Sequence, residues 1–85
     1  MLTRKQIARL RASRVPEPNK VKKAIELAGV TQVQVAAAIE MTQSHVSEIA
    51  NGNYSRLPND TARAIAEYFG CAIEDLFPAR EAVAS

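Results

Sequence analysis

The sequence predicts an all-α protein, and three observations carry that reading. Apolar residues recur at helical spacing along most of the chain, Ala is abundant, and Gly occurs only three times in 85 residues. Apolar content is 47%, aromatics are 5% and Trp is absent, so one modest core must be assembled mainly from Ala, Val, Ile and Leu.

Each element has a local reason. Thr3 and Gln6 have capping-box spacing, and Ile7 and Leu10 share a helical face. A short helix is expected from about Lys5 to Ala12, too short to persist without a surface to dock on. Val15-Pro16-Glu17-Pro18 then favours extended backbone and reads as a linker, which makes 1–18 a basic N-terminal arm. From Asn19 the pattern sharpens: Val21, Ala24, Ile25 and Ala28 follow i, i+3, i+4, i+7, and Gly29 stands where a C-terminal cap belongs. Thr31 caps a second body helix, about Gln32 to Ile39, with Val35, Ala36 and Ile39 inward. The run Ala36-Ala37-Ala38 outweighs the β-branched Val33 and Val35.

Thr42 opens a third body helix, Gln43 to Ala50, with Val46 and Ile49 on one face and Asn51-Gly52 at its close. A polar loop runs from Gly52 to Pro58. Asn59 or Asp60 caps the next helix, whose stripe is Ala62, Ile65, Ala66 and Phe69, ended by Gly70. A last short helix, Ala72 to Phe77, turns Ile73, Leu76 and Phe77 inward and is limited by Pro78. The body is thus 19–78, and 79–85 is expected to be a frayed tail.

Composition narrows the function. Net charge is only +2, but residues 1–14 hold Arg4, Lys5, Arg9, Arg11 and Arg14 and no acid. The remainder carries six basic and nine acidic side chains. A basic arm on a mildly acidic body fits a nucleic-acid binder and a solubilising tail equally well. A single Cys (Cys71) and a single His (His45) give no internal disulfide and no metal-ligand set, and Cys71 reads as a small buried residue. His45 has no carboxylate or nucleophile in a pocket-forming pattern, and no Gly-rich phosphate loop is present. No enzyme activity, cofactor, metal or small-molecule substrate is expected. No stretch approaches the ~18 apolar residues of a membrane span, and no apolar block follows the basic opening, so a cytoplasmic location is expected.

What remains is one constellation. Two short helices joined by a tight turn, with small Ala36 in the first and Val46 and Ile49 anchoring the second, describe a helix-turn-helix. Anchored that way, the second helix turns Gln43, Ser44, His45, Ser47 and Glu48 outward. All of them can hydrogen-bond.

The residues Thr31-Gln32, Ala36, Ile39, the run Thr42 to Ile49, Asn51-Gly52, Pro58 and Leu76-Phe77 resemble the Xre/Cro family of lambda-repressor-like helix-turn-helix proteins. The resemblance covers about residues 19 to 77 and implies a five-helix fold, usually as a homodimer on a roughly palindromic stretch of double-stranded DNA. The sequence departs from the family at the turn, where Glu40 replaces the common Gly, which puts the angle of the following helix in question. A left-handed residue other than Gly costs roughly 1 kcal/mol.

Site roles follow from the same resemblance. Gln43 matches the family position whose amide contacts adenine. Gln32 resembles the Gln that braces it and touches a phosphate, and a helix N-terminus favours phosphate besides. Ser44 and Ser47 are further base-edge candidates. Glu48 could accept from cytosine N4 or simply face solvent. Asn51, Asn53, Ser55 and Arg56 fall where the family loop grips the DNA backbone, with Arg56 the best suited by its guanidinium, and Thr42 and His45 are further backbone candidates, His45 as a surface residue or phosphate neighbour. Tyr54 could reach a phosphate or pack on the fold. Lys20, Lys22 and Lys23 read as a solvated face. By analogy with repressors whose basic arm wraps the duplex, Arg4, Lys5, Arg9 and Arg11 would track phosphates or the minor groove.

The expected function is therefore a sequence-specific transcriptional regulator of bacterial or phage type, a repressor acting by operator occlusion. Dimerisation would use the apolar end around Ile73, Leu76, Phe77 and Val83. Two alternatives keep the fold: an antitoxin or adaptor that holds a partner protein, and a DNA-binding subunit of a phage transposition or recombination complex.

Overall fold

Threonine caps set where three of the described helices begin. The computed structural model describes residues 1–13 and 19–77. Among these, six helices follow one another: α1 (Arg4–Ala12), α2 (Val21–Ala28), α3 (Gln32–Ala38), α4 (Gln43–Ala50), α5 (Asn59–Phe69) and α6 (Ile73–Leu76). The Thr3 hydroxyl accepts from the Gln6 amide at 3.2 Å while the Gln6 side chain accepts from the Thr3 amide at 2.8 Å. Thr31 and Gln34 repeat this reciprocal box at 3.1 and 2.8 Å, and Thr42 accepts from the His45 amide at 3.1 Å. Each cap satisfies N–H groups that a helix start leaves without a partner. At the far end of α2, Gly29 takes φ 69°, which lets its amide turn back onto the carbonyls of Ile25 and Glu26.

Helices α2 to α6 are the five expected from the resemblance, and their apolar stripes meet in one core. Val21, Val35, Val46, Ile65 and Phe69 are all fully buried. Ala36, 3% exposed, sits in the packed helix-turn-helix pair, where a small side chain permits close approach. The turn between α3 and α4 is closed by the Met41 amide donating to the Ala36 carbonyl at 2.8 Å. Glu40 occupies the left-handed region there, with φ 58°. The departure from Gly has not moved the left-handed site, which falls on Glu40 itself.

α1 has found its surface. Leu10 is fully buried and Leu2 nearly so, and the Leu2 amide donates to the Phe69 carbonyl at 2.9 Å. The Gln6 side chain donates to the Leu27 carbonyl at 2.7 Å, at the end of α2. At the other end, Lys20 Nζ donates to the carbonyls of Leu10 and Arg11 at 3.0 and 3.2 Å, a cation on the negative end of a helix. Residues 4–12 therefore form a sixth helix packed on the domain, with α2 and α6 as its principal neighbours. The linker at Val15 to Pro18, Arg14, the stop at Pro78 and the tail with Val83 lie outside the described residues.

One expectation is corrected here. Leu76 and Phe77, assigned to a dimer surface, are 0% and 2% exposed in the chain's own core, and Ile73 is half-buried. The short α6 turns its apolar side inward and is covered in part by α1. Among the described residues only Met1 and Val33 are large, apolar and exposed.

Candidate nucleic-acid interface

α4 is positioned from behind. Val46 and Ile49, 0% and 2% exposed, fix one face in the core, so geometry at 3.6 residues per turn directs Gln43, Ser44, His45 and Glu48 outward. All four are exposed, and Ser47 is half-buried beside Asn51, whose side-chain amide reaches its hydroxyl at 3.5 Å. Apart from the half-buried Ser47, this face stays open among the described residues. Gln43 at the first turn of α4 meets Gln32 at the first turn of α3: its side-chain N–H donates to the Gln32 amide oxygen at 3.1 Å. That bond uses one N–H of Gln43 and leaves its carbonyl oxygen and second N–H for another group. Adenine offers an acceptor and a donor side by side, the complement of that pair.

A family model for the helix-turn-helix matches residues 21–76, which takes in α2 to α6 and both glutamines. The chain belongs to the Xre/lambda-repressor-like helix-turn-helix family. No curated protein matches the chain. The family comprises sequence-specific DNA-binding transcription regulators, typically without enzymatic activity, and the chain takes its place among them.

In this helix-turn-helix protein the loop after α4 forms the second wall of the site. The Gly52 and Asn53 amides fold back onto the carbonyls of Ile49 and Glu48, at 3.0 and 2.8 Å, and hold the loop against the end of α4. Asn51, Asn53, Ser55 and Arg56 are exposed along it. Thr42, His45, Glu48, Asn53 and Arg56 line a shallow open groove between helix and loop. Ile49, Tyr54, Leu57 and Pro58 complete its lining, and the groove brings together Arg56 from the loop and Glu48 from the helix. Tyr54, for which two roles were open, is half-buried against the core, and its hydroxyl accepts from Asn19 at 3.4 Å. It packs on the fold.

The N-terminal cations divide. Arg4, Lys5 and Arg9 are exposed on α1, whose main contacts are with α2 and α6, so they do not join the constellation at α3 and α4. Arg11 is engaged elsewhere: its guanidinium binds both oxygens of Asp75 at 2.8 and 3.3 Å. That contact, with the Ala72 amide donating to Asp75 at 3.0 Å, holds the Asp75 carboxyl below its ordinary range. Next to them, burial pushes the Cys71 thiol up to about 11, so it stays protonated at neutral pH. Cys71 is half-buried rather than enclosed.

Sequence reasoning did not assign a role to Asn19. It is 1% exposed, its amide N–H donates to the Ile49 carbonyl of α4 at 2.8 Å, and its oxygen accepts from the Val21 amide at 3.0 Å. Its position just before a helix is a signal for a cap; its reach to α4, 30 residues on, leaves no local trace. Among the described residues no group of His, Cys, Asp and Glu could hold a metal ion, and no helix is long and apolar enough to cross a membrane.

Proposed function

We propose that this protein is a repressor that occupies an operator as a homodimer, with α4 in the major groove and Gln43 reading an adenine. The observation that carries the reading is the Gln32–Gln43 pair, which presents a preset amide at the N-terminus of an exposed, core-anchored helix. Ser44, Ser47 and Glu48 are placed to meet neighbouring base edges. Thr42, His45, Asn51, Asn53, Ser55 and Arg56, with the α3 N-terminus and Gln32, would hold the phosphates on either side. Arg4, Lys5 and Arg9 would add phosphate contacts from α1; Arg11, paired with Asp75, is the weakest candidate of that group.

Repression needs no chemistry, only occupancy of the site that polymerase requires. On a two-fold operator the two α4 helices would lie about 34 Å apart, one turn of DNA. With Leu76 and Phe77 committed to the core, the pairing of subunits is proposed to form on the operator, where each half-site brings its own copy. The protein is of bacterial or phage type in this reading and works in the cytoplasm of the cell that holds the operator.

The test is selection of bound sequences from a random duplex pool. Gln43→Ala is expected to relax preference at a single base pair per half-site and to weaken binding there by about 1–3 kcal/mol. An unchanged consensus would remove Gln43 from the reading set. A footprint without two-fold symmetry would remove the homodimer.

A further inference from the structure

We propose that Asn19 is a positioning residue for the DNA-reading helix, its buried side-chain amide tying the last turn of α4 to the start of α2 and to the loop that follows α4. The inference rests on the DNA-reading function above and concerns a residue just outside the 21–76 family match.

α4 has only eight residues and is held from behind by Val46 and Ile49. Apolar contacts of that kind are strong but non-directional, and they resist tilt poorly. Tilt matters because the reading end lies at the opposite end of α4 from Ile49. Gln43 lies six residues from Ile49, about 9 Å along the axis at 1.5 Å per residue. A tilt of about 10° at Ile49 then displaces Gln43 by roughly 1.5 Å, more than the tolerance of a hydrogen bond.

Asn19 supplies the missing direction. Its amide N–H donates at 2.8 Å to the Ile49 carbonyl in the last turn of α4, which the Gly52 amide also reaches at 3.0 Å, so the side chain adds a link from outside the helix and its loop. The same nitrogen reaches the Tyr54 hydroxyl at 3.4 Å, in the loop that carries Asn53, Ser55 and Arg56. Its oxygen accepts from the Val21 amide at 3.0 Å, which fixes the amide plane against the first turn of α2. Its neighbour Lys20 donates its own amide to the Leu76 carbonyl at 2.8 Å, so the stretch that carries Asn19 is anchored to α6 as well. With Asn19 only 1% exposed, water does not compete for these bonds.

The experiment compares affinity for the selected operator with affinity for a random duplex, and follows the salt slope, in the full chain. Asn19→Ser keeps a side-chain oxygen to cap α2 but is too short to reach the Ile49 carbonyl. Asn19→Ala removes both. In both variants the ratio of specific to nonspecific affinity is expected to fall about tenfold, while nonspecific affinity and its salt slope stay as in the wild type. Tyr54→Phe, which removes only a hydroxyl, is expected to lower the ratio about twofold. Circular dichroism and thermal melting establish that each variant is folded at the assay temperature. An unchanged ratio in folded Asn19→Ser overturns the proposal, because a residue that served only stability would lower the melting temperature alone. If Asn19→Ser does not fold, Tyr54→Phe decides, and an unchanged ratio there overturns it. A wild-type chain that enriches no sequence overturns the DNA-reading function and this inference with it. An enriched site that the folded variants still prefer as strongly overturns this inference alone.

Discussion

Glu40 has a positive φ, 58°, the one non-Gly residue among those described that does. A Cβ there crowds the following carbonyl, and Gly would relieve that at the cost of a more mobile unfolded chain. Glu40→Gly is expected to raise stability by about 0.5–1 kcal/mol and the melting temperature by a few degrees, read by thermal denaturation. A lower melting temperature would show that Glu40 carries no strain. The position was legible only through the family resemblance, which puts a Gly at the turn where Glu40 stands; that the left-handed site stays on Glu40 itself is a finding of the structure. Cys71 was legible as a lone, unreactive thiol, but its chemistry depends on neighbours far along the chain. Its raised value predicts that a thiol reagent at pH 8 labels the folded protein roughly tenfold more slowly than the unfolded one, the scarcer thiolate being offset in part by its greater nucleophilicity. Asn19 was not legible as a bridge, since every signal it offers locally is that of an ordinary cap.

Helices were read well wherever a cap and a stripe coincided. Thr31 and Thr42 mark the starts of α3 and α4, and Gly29 and Gly70 mark the ends of α2 and α5. Docking was another matter. The spacing of Ile7 and Leu10 announced a possible helix, yet its seat on α2 and α6 is built from residues distant in sequence. The fully buried Leu10 predicts that Leu10→Ala costs about 2–5 kcal/mol in urea denaturation. Because α1 packs mainly on α2 and α6, base preference in the folded variant should match that of the parent. Loss of preference would mean that α1 also shapes the reading face. The same distance effect explains the dimer surface: Leu76 and Phe77 look like a spare apolar end only until α1 and α5 are folded around them.

At the scale of the molecule, one ion pair joins the beginning of the fold to its end. Arg11 and Asp75, 64 positions apart, meet at 2.8 Å, and the Asp75 carboxylate is nearly buried. Because its native value is depressed, first by the Arg11 hydrogen bond and then by the Ala72 amide, the carboxylate stabilises the fold above the ordinary carboxylate value of about 3.9. That contribution disappears as pH falls through the lower native value. Asp75→Asn should therefore be less stable than the parent at neutral pH by an amount that does not change down to about pH 5, and the gap should narrow in more acid solution. A gap independent of pH would assign the effect to shape rather than charge. Charge pairing of this kind had no sequence signature, since Arg11 was one of five cations in an acid-free stretch and Asp75 one acid among several.

The seating of Leu2 and Leu10 has a practical corollary. A fragment trimmed to residues 21–76 would keep every helix of the motif yet leave the roof of its core missing, with the terminal turns of α2, α5 and α6 facing water. Such a fragment should be sticky, and adding back a synthetic peptide of residues 1–13 should cure it.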